Sequence, residues 1–150
     1  MKKFRYALET VLNIKEQKQK MEKEKMAILI SKYEVQKSKL VEILNRIEKT
    51  IKENEKNKAL GTSAMNLRQF NLYIESLYEK YNQQKAILKE IEEEIEKERH
   101  NLMEVSKEKE ALESLKEKKY EEYKYQTVIE QNLMIDEQIS YKTARSTLGG

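Results

Sequence analysis

LRQFNLYIESLYEKYNQQKAILKEIEEEIEKERHNLMEVSKEKEAL, residues Leu67–Leu112, is the stretch that decides how this chain folds. Stepping through it by alternating threes and fours lands on Leu67, Phe70, Ile74, Leu77, Tyr81, Gln84, Leu88, Ile91, Ile95, Glu98, Leu102, Val105, Lys109 and Leu112. Eleven of these fourteen positions are apolar or tyrosine. The residues between them are mostly Glu, Lys, Gln, Asn or Ser, so one narrow stripe of an α-helix is apolar and the rest is solvated. A stripe this narrow with a seven-residue repeat is a coiled-coil seam, not the broader face of a globular helix. The helix therefore needs a partner helix.

Working outward, the residues before this stretch supply one. Phe4, Leu8, Val11 and Leu12 open a first amphipathic segment. A polar interval follows from Asn13 to Lys25, broken only by Ile14 and Met21, and should be the loosest part of the helix. The period returns at Met26, Ile30, Tyr33, Lys37, Leu40, Leu44, Ile47 and Ile51, which places one helix over about residues 3–60. Gly61 is the only interior glycine, and it follows Lys58-Ala59-Leu60 as a C-terminal stop. Asn66 with Gln69 three residues later resembles a capping box, so a turn is expected at 61–65 and a second helix over about 66–139.

A connection this short makes the two helices antiparallel neighbours. The fold class is therefore all-α: a long antiparallel two-helix coiled-coil hairpin, one domain over residues 1–150, with a flexible tail at 140–150. With the turn centred near residue 63, facing residues should have numbers adding to about 126. At ~1.5 Å per residue the first helix would run roughly 85 Å, giving a rod. A buried seam Leu or Ile stabilises by ~1.5–3 kcal/mol when fully covered, and a two-helix rod covers each only in part.

Composition agrees. Charged residues make up 38% of the chain and there is no proline, so little interrupts a helical ladder. The sustained heptads separate it from disordered polar tracts of similar content. Thirty basic and twenty-seven acidic residues nearly cancel, which argues against nucleic-acid binding. No segment approaches the ~20 apolar residues of a membrane span, and the basic start Met1–Tyr6 lacks the apolar core of a secretory signal. The lack of cysteine fits a cytoplasmic address.

The sequence offers little chemistry. A single histidine, His100, and no cysteine leave no nucleophile–base pair and no common zinc site. There is no glycine-rich phosphate loop. The run Glu92-Glu93-Glu94 with Glu96 and Glu98 reads as a solvated face balanced by nearby lysines. No catalytic residue, cofactor or metal ligand is assigned, and the chain is expected to contribute surfaces. One lies at the turn end, where Tyr73 and Tyr78 flank the seam residues Phe70, Ile74, Leu77 and Tyr81. The other combines Phe4, Arg5, Leu8, Tyr120, Tyr123 and Tyr125 with the second helix beyond about Tyr123, which outruns its partner and carries Val128, Ile129, Leu133, Met134, Ile135 and Ile139.

The opening Phe4-Arg5-Tyr6-Ala7-Leu8-Glu9-Thr10-Val11-Leu12-Asn13-Ile14-Lys15-Glu16-Gln17-Lys18, followed by a charged hairpin and a Lys/Glu/Tyr-rich second helix, resembles the FliJ family of flagellar export proteins. The resemblance spans nearly the whole chain. It implies a non-enzymatic cytoplasmic coiled coil that forms the central stalk of the flagellar type III export ATPase hexamer, promotes ring assembly, and touches the cytoplasmic domain of the export gate. It implies association with the inner face of the cell membrane through partners only, and a role beside export chaperones. On this resemblance the gate contact falls at Tyr73 and Leu77. The ATPase-ring contact falls at Phe4, Arg5, Leu8, Leu12, Tyr120, Tyr123, Val128, Leu133 and Ile135. Two other readings of the same pattern are a prefoldin-like or general coiled-coil chaperone, disfavoured by the short turn, and a structural coiled coil that dimerises through the second helix.

Overall fold

The computed structural model describes residues 2–149 and contains two α-helices, α1 over Glu9–Leu60 and α2 over Ala64–Gly149. They pack against each other as an all-α helical hairpin with no strand among the described residues. Gly61 ends α1 with φ of +92°, the left-handed conformation that glycine adopts without a Cβ penalty, and its N–H donates to the Lys58 carbonyl at 3.3 Å. The turn is only residues 61–63. Ser63 caps α2 by accepting from the Asn66 N–H at 3.2 Å, so Asn66 is the donor within the first turn and not the capping residue expected from its spacing to Gln69.

The hairpin divides into two compact units. The first holds the turn, residues 20–103. On α2 every seam position from Leu67 to Glu98, together with Leu102, is buried or half-buried. On α1 the inward positions are Glu22, Met26, Leu29, Tyr33, Gln36, Leu40, Ile43, Ile47, Thr50 and Asn54, with Ile51 beside them. This corrects alternate positions of the expected stripe: Leu29 and Ile43 point in, while Ile30 and Leu44 are exposed. Adjacent apolar residues at 29/30 and 43/44 satisfy either phase by themselves. Gln84 helps decide between them, because its amide donates to both the Gln36 carbonyl at 2.8 Å and the Gln36 side-chain oxygen at 2.7 Å. The numbers of facing pairs add to 120 for Gln36 with Gln84 and 125 for Tyr33 with Glu92. Both fall below 126, and a turn that covers only 61–63 and centres on residue 62 accounts for a shift to about 124, near the Tyr33–Glu92 sum but not down to that of Gln36 with Gln84.

The second unit joins residues 1–19 to 104–150. Here α1 presents Leu12, Lys15 and Gln19, and α2 presents Val105, Ser106, Lys109, Leu112 and Lys116. The expected looseness of the polar interval is met in this unit by side-chain bonds. Gln19 donates to Ser106 Oγ at 3.0 Å and accepts from Lys109 Nζ at 3.0 Å, and Lys15 pairs with Glu108. Helix α1 starts at Glu9 and not near residue 3. Residues 2–8 instead lay Phe4 and Tyr6 across α2, an arrangement that a helical continuation would not provide. Helix α2 continues through 140–149, where a flexible tail was expected, and Gly150 lies outside the described residues. Its last turns contain no proline, and Thr143 and Thr147 return their hydroxyls to the Ile139 and Thr143 carbonyls.

Candidate interaction surfaces

In the unit that holds both termini, the N-terminal segment is clamped onto α2 by aromatic side chains. The Phe4 ring meets Tyr120 edge-on at 5.2 Å between centroids and Tyr123 at 5.5 Å, and the two tyrosines stack at 6.3 Å. Tyr123 Oη donates to the Lys2 carbonyl at 2.7 Å, and Tyr6 Oη to the Leu112 carbonyl at 2.9 Å. These bonds anchor a segment with no helical ladder of its own. Lys124 Nζ sits 4.8 Å from the Tyr120 ring, and Lys116 pairs with Glu9 at 2.9 Å. Beside the clamp an open groove is lined by Lys2, Lys3, Phe4, Arg5, Tyr123 and Glu130, so three of its six lining residues are cationic and one is acidic.

Past the clamp, α2 has no covering partner among the described residues. Every residue from Glu130 to Leu148 is exposed, including Leu133, Met134, Ile135 and Ile139, each more than half exposed. Among the nine residues assigned to the ring contact, the structure brings Phe4, Tyr120 and Tyr123 together, leaves Arg5, Leu8, Val128, Leu133 and Ile135 on the surface, and seals Leu12 in the seam at 3% exposure. Leu12 thus supports the surface without forming it. Tyr6, half-buried and bonded to Leu112, belongs to the same clamp. Its side chain was not singled out, because heptad stepping gives no signal for a residue in a non-helical lead-in.

In the unit that holds the turn, the two residues assigned to the gate contact part company. Leu77 is 2% exposed and fills the seam, while Tyr73 is 44% exposed and flanks it. Tyr78 is also exposed, and at 100° per residue it lies on the opposite flank from Tyr73. Leu72, 61% exposed, points away from the seam and was overlooked because it falls outside both the stripe and its flanks. The Glu-rich stretch stays on the outside of α2 at Glu93, Glu94 and Glu96, but Glu92 accepts from the Tyr33 hydroxyl at 3.2 Å and Glu98 turns inward. The hydrogen bond to Glu92 raises the Tyr33 phenol above its ordinary value. Among the described residues, no group of three or more metal-ligating side chains forms, and no helix is long and apolar enough to cross a membrane.

The fold and its surfaces define a two-helix hairpin protein that leaves apolar and aromatic side chains of α2 exposed. The family model described as Flagellar FliJ protein matches residues 4–147, nearly the whole chain, and the chain belongs to that family. It is accordingly a component of the flagellar export apparatus. Searches of curated proteins and of solved structures found no match.

Proposed function

We propose that this chain is the central stalk of the flagellar export ATPase ring, seating its terminal unit in the hexamer, promoting ring assembly and hydrolysis, and touching the cytoplasmic domain of the export gate through its turn-bearing unit. The observation that carries the reading is the uncovered stretch of α2 beyond Glu130, whose apolar residues Leu133, Ile135 and Ile139 have no intramolecular cover and sit in the same unit as the aromatic clamp. Exposed apolar side chains beside a groove lined by Lys2, Lys3 and Arg5 suit a partner surface that combines apolar and acidic groups. On this reading Phe4, Arg5, Leu8, Tyr120, Tyr123, Val128, Leu133 and Ile135 supply or shape the ring contact, with Leu12 packing beneath. Tyr73 supplies the gate contact, and Leu77 positions it from within the seam. The protein then reaches the inner face of the membrane through its partners.

The test mixes the full chain with its cognate ATPase and follows hydrolysis and hexamer formation. Stimulation of both is expected, reduced when Leu133 and Ile135 are replaced together by serine and retained when Tyr73 is replaced by alanine. The Tyr73→Ala chain should instead bind the isolated gate domain more weakly. No effect of the unaltered chain on either hydrolysis or assembly sinks the stalk reading. Binding of unrelated unfolded proteins in the absence of any ATPase effect would favour a chaperone instead.

A further inference from the structure

One layer of the turn-bearing unit breaks the ordinary rule for seam positions. Glu22 of α1 and Glu98 of α2 both point inward and are each more than nine-tenths buried, at 8% and 9% exposure. A buried carboxylate ordinarily faces a cation or a set of N–H donors. Here one faces another carboxyl, and an oxygen on each, Glu22 Oε2 and Glu98 Oε1, has no hydrogen-bond partner. The nearest cation is Lys25, also on α1, whose Nζ lies 3.8 Å from Glu22 Oε1, beyond hydrogen-bond distance, on a side chain that is 59% exposed. From α2 the polar neighbour of Glu98 is Asn101, and Arg99 is engaged at the surface by Glu96 at 3.1 Å. Two ionised carboxylates in this setting would repel each other and leave acceptors without donors. A single proton supplies the missing donor and removes one charge.

We propose that the Glu22–Glu98 layer is a proton-dependent catch, in which one proton shared between the two side chains holds α1 and α2 together at this level and its loss on raising the pH loosens their pairing there. The catch goes beyond the export reading and requires no partner. The Glu98 carboxyl is held above its ordinary value of 4.5, first by the hydrogen bond to Glu22, then by burial and by the Glu22 charge, with Lys25 and Asn101 opposing. A carboxyl raised in the folded state binds more protons folded than unfolded. Its contribution is therefore fully present below the unfolded value and is lost as pH rises through the raised one. Glu108, paired with Lys15, acts in the opposite sense, so the catch is read as a difference between variants.

The test compares thermal unfolding of the full chain by circular dichroism from pH 4 to 8, for the unaltered protein, Glu98→Gln and Glu22→Gln. Glutamine has the shape of the protonated acid and donates to the facing carboxylate at any pH. The three midpoints should coincide near pH 4 and separate as pH rises, with both variants melting roughly 2–4 °C above the unaltered chain at pH 7–8. Side-chain carboxyl titration by ¹³C NMR should show one proton leaving the pair above the ordinary glutamate range. Parallel midpoint curves for all three chains, or both carboxyls titrating at the ordinary glutamate value, would overturn the proposal.

Discussion

The two units solve the same packing problem with different materials. In the unit that holds the turn, Ile47, Leu77, Leu88 and Ile91 are buried at 7% exposure or less, with one glutamine layer and one glutamate layer set into a regular seam. In the unit that holds both termini, only Leu12 and Val105 among the described residues reach that depth. There the pairing rests on lysine, glutamine and serine side chains and on rings laid over α2 by a non-helical segment. Apolar burial is non-directional and stabilises in proportion to area, whereas hydrogen bonds and exposed ion pairs contribute little net energy but require a particular geometry. The turn-bearing unit is thus built for stability. The terminal unit holds its segment in place while leaving apolar helix surface bare.

The sharpest way to break that comparison is to remove one leucine from each kind of environment. Leu77→Ala empties a fully covered seam position and should destabilise the hairpin by about 2–4 kcal/mol, measured by chemical unfolding. Leu133→Ala, at 56% exposure, should stay within about 0.5 kcal/mol of the unaltered chain. If the two cost the same, Leu133 is covered in solution, and sedimentation at several concentrations would then test for a second copy of the chain.

The same contrast explains what could be read in the residues alone. The α2 stripe was legible at all fourteen positions, because isolated apolar residues such as Leu67, Phe70, Ile91, Ile95 and Val105, each between polar neighbours, fix one phase even where pairs such as Ile87-Leu88 would fit either. The α1 stripe was legible at Met26, Tyr33, Leu40 and Ile47 and ambiguous between them, because neighbours such as Leu29 and Ile30 are both apolar and the partner helix chooses. The uncovered end of α2 followed from the difference in helix lengths. The lead-in to α1 was not legible: its apolar spacing suits a helix, but the tertiary bonds of Tyr6 and Tyr123 and the ring contacts of Phe4 outweigh that propensity. At the turn-bearing surface the stripe set Leu77 in the seam and Tyr73 on its flank, and the packing keeps that division, whereas the resemblance joined the two residues in one contact.

Two substitutions probe the clamp without touching the seam. Phe4→Ala removes ring contacts with both Tyr120 and Tyr123, and aromatic pairs contribute about 0.5–1.5 kcal/mol each beyond area burial. A loss of about 1–3 kcal/mol in the closure of the N-terminal segment is expected. It should appear as faster proteolysis near residues 2–8 and as altered near-ultraviolet circular dichroism of the tyrosines. Tyr6→Phe keeps the ring and deletes only the bond to the Leu112 carbonyl, so a smaller loss of about 0.5–1.5 kcal/mol should follow. Unchanged proteolysis in the Phe4 variant would mean that the segment is held by its backbone bonds and not by its rings.

The smallest expected effect distinguishes the ionic part of the terminal unit from its aromatic part through pH. Lys15 lowers the Glu108 carboxyl below its ordinary value of 4.5, first through their hydrogen bond and then through charge, with Lys18 adding to the second effect. A lowered carboxyl contributes stability that is present above the unfolded value and lost as pH falls through the folded one. Glu108 is exposed, so the pair is screened by water and by salt. The Glu108→Gln chain should therefore melt slightly below the unaltered chain at pH 7 in low salt, and the gap should close on acidification below the ordinary glutamate range. It should also close in about 1 M salt, where the screening length is only ~3 Å. The clamp predicts neither change, because Phe4, Tyr6 and Tyr123 act through ring contacts and hydroxyl-to-carbonyl hydrogen bonds and not through an ion pair. A gap that persists in acid and in high salt would show that Glu108 acts through packing, and that the division between an ionic and an aromatic contribution in this unit is drawn in the wrong place.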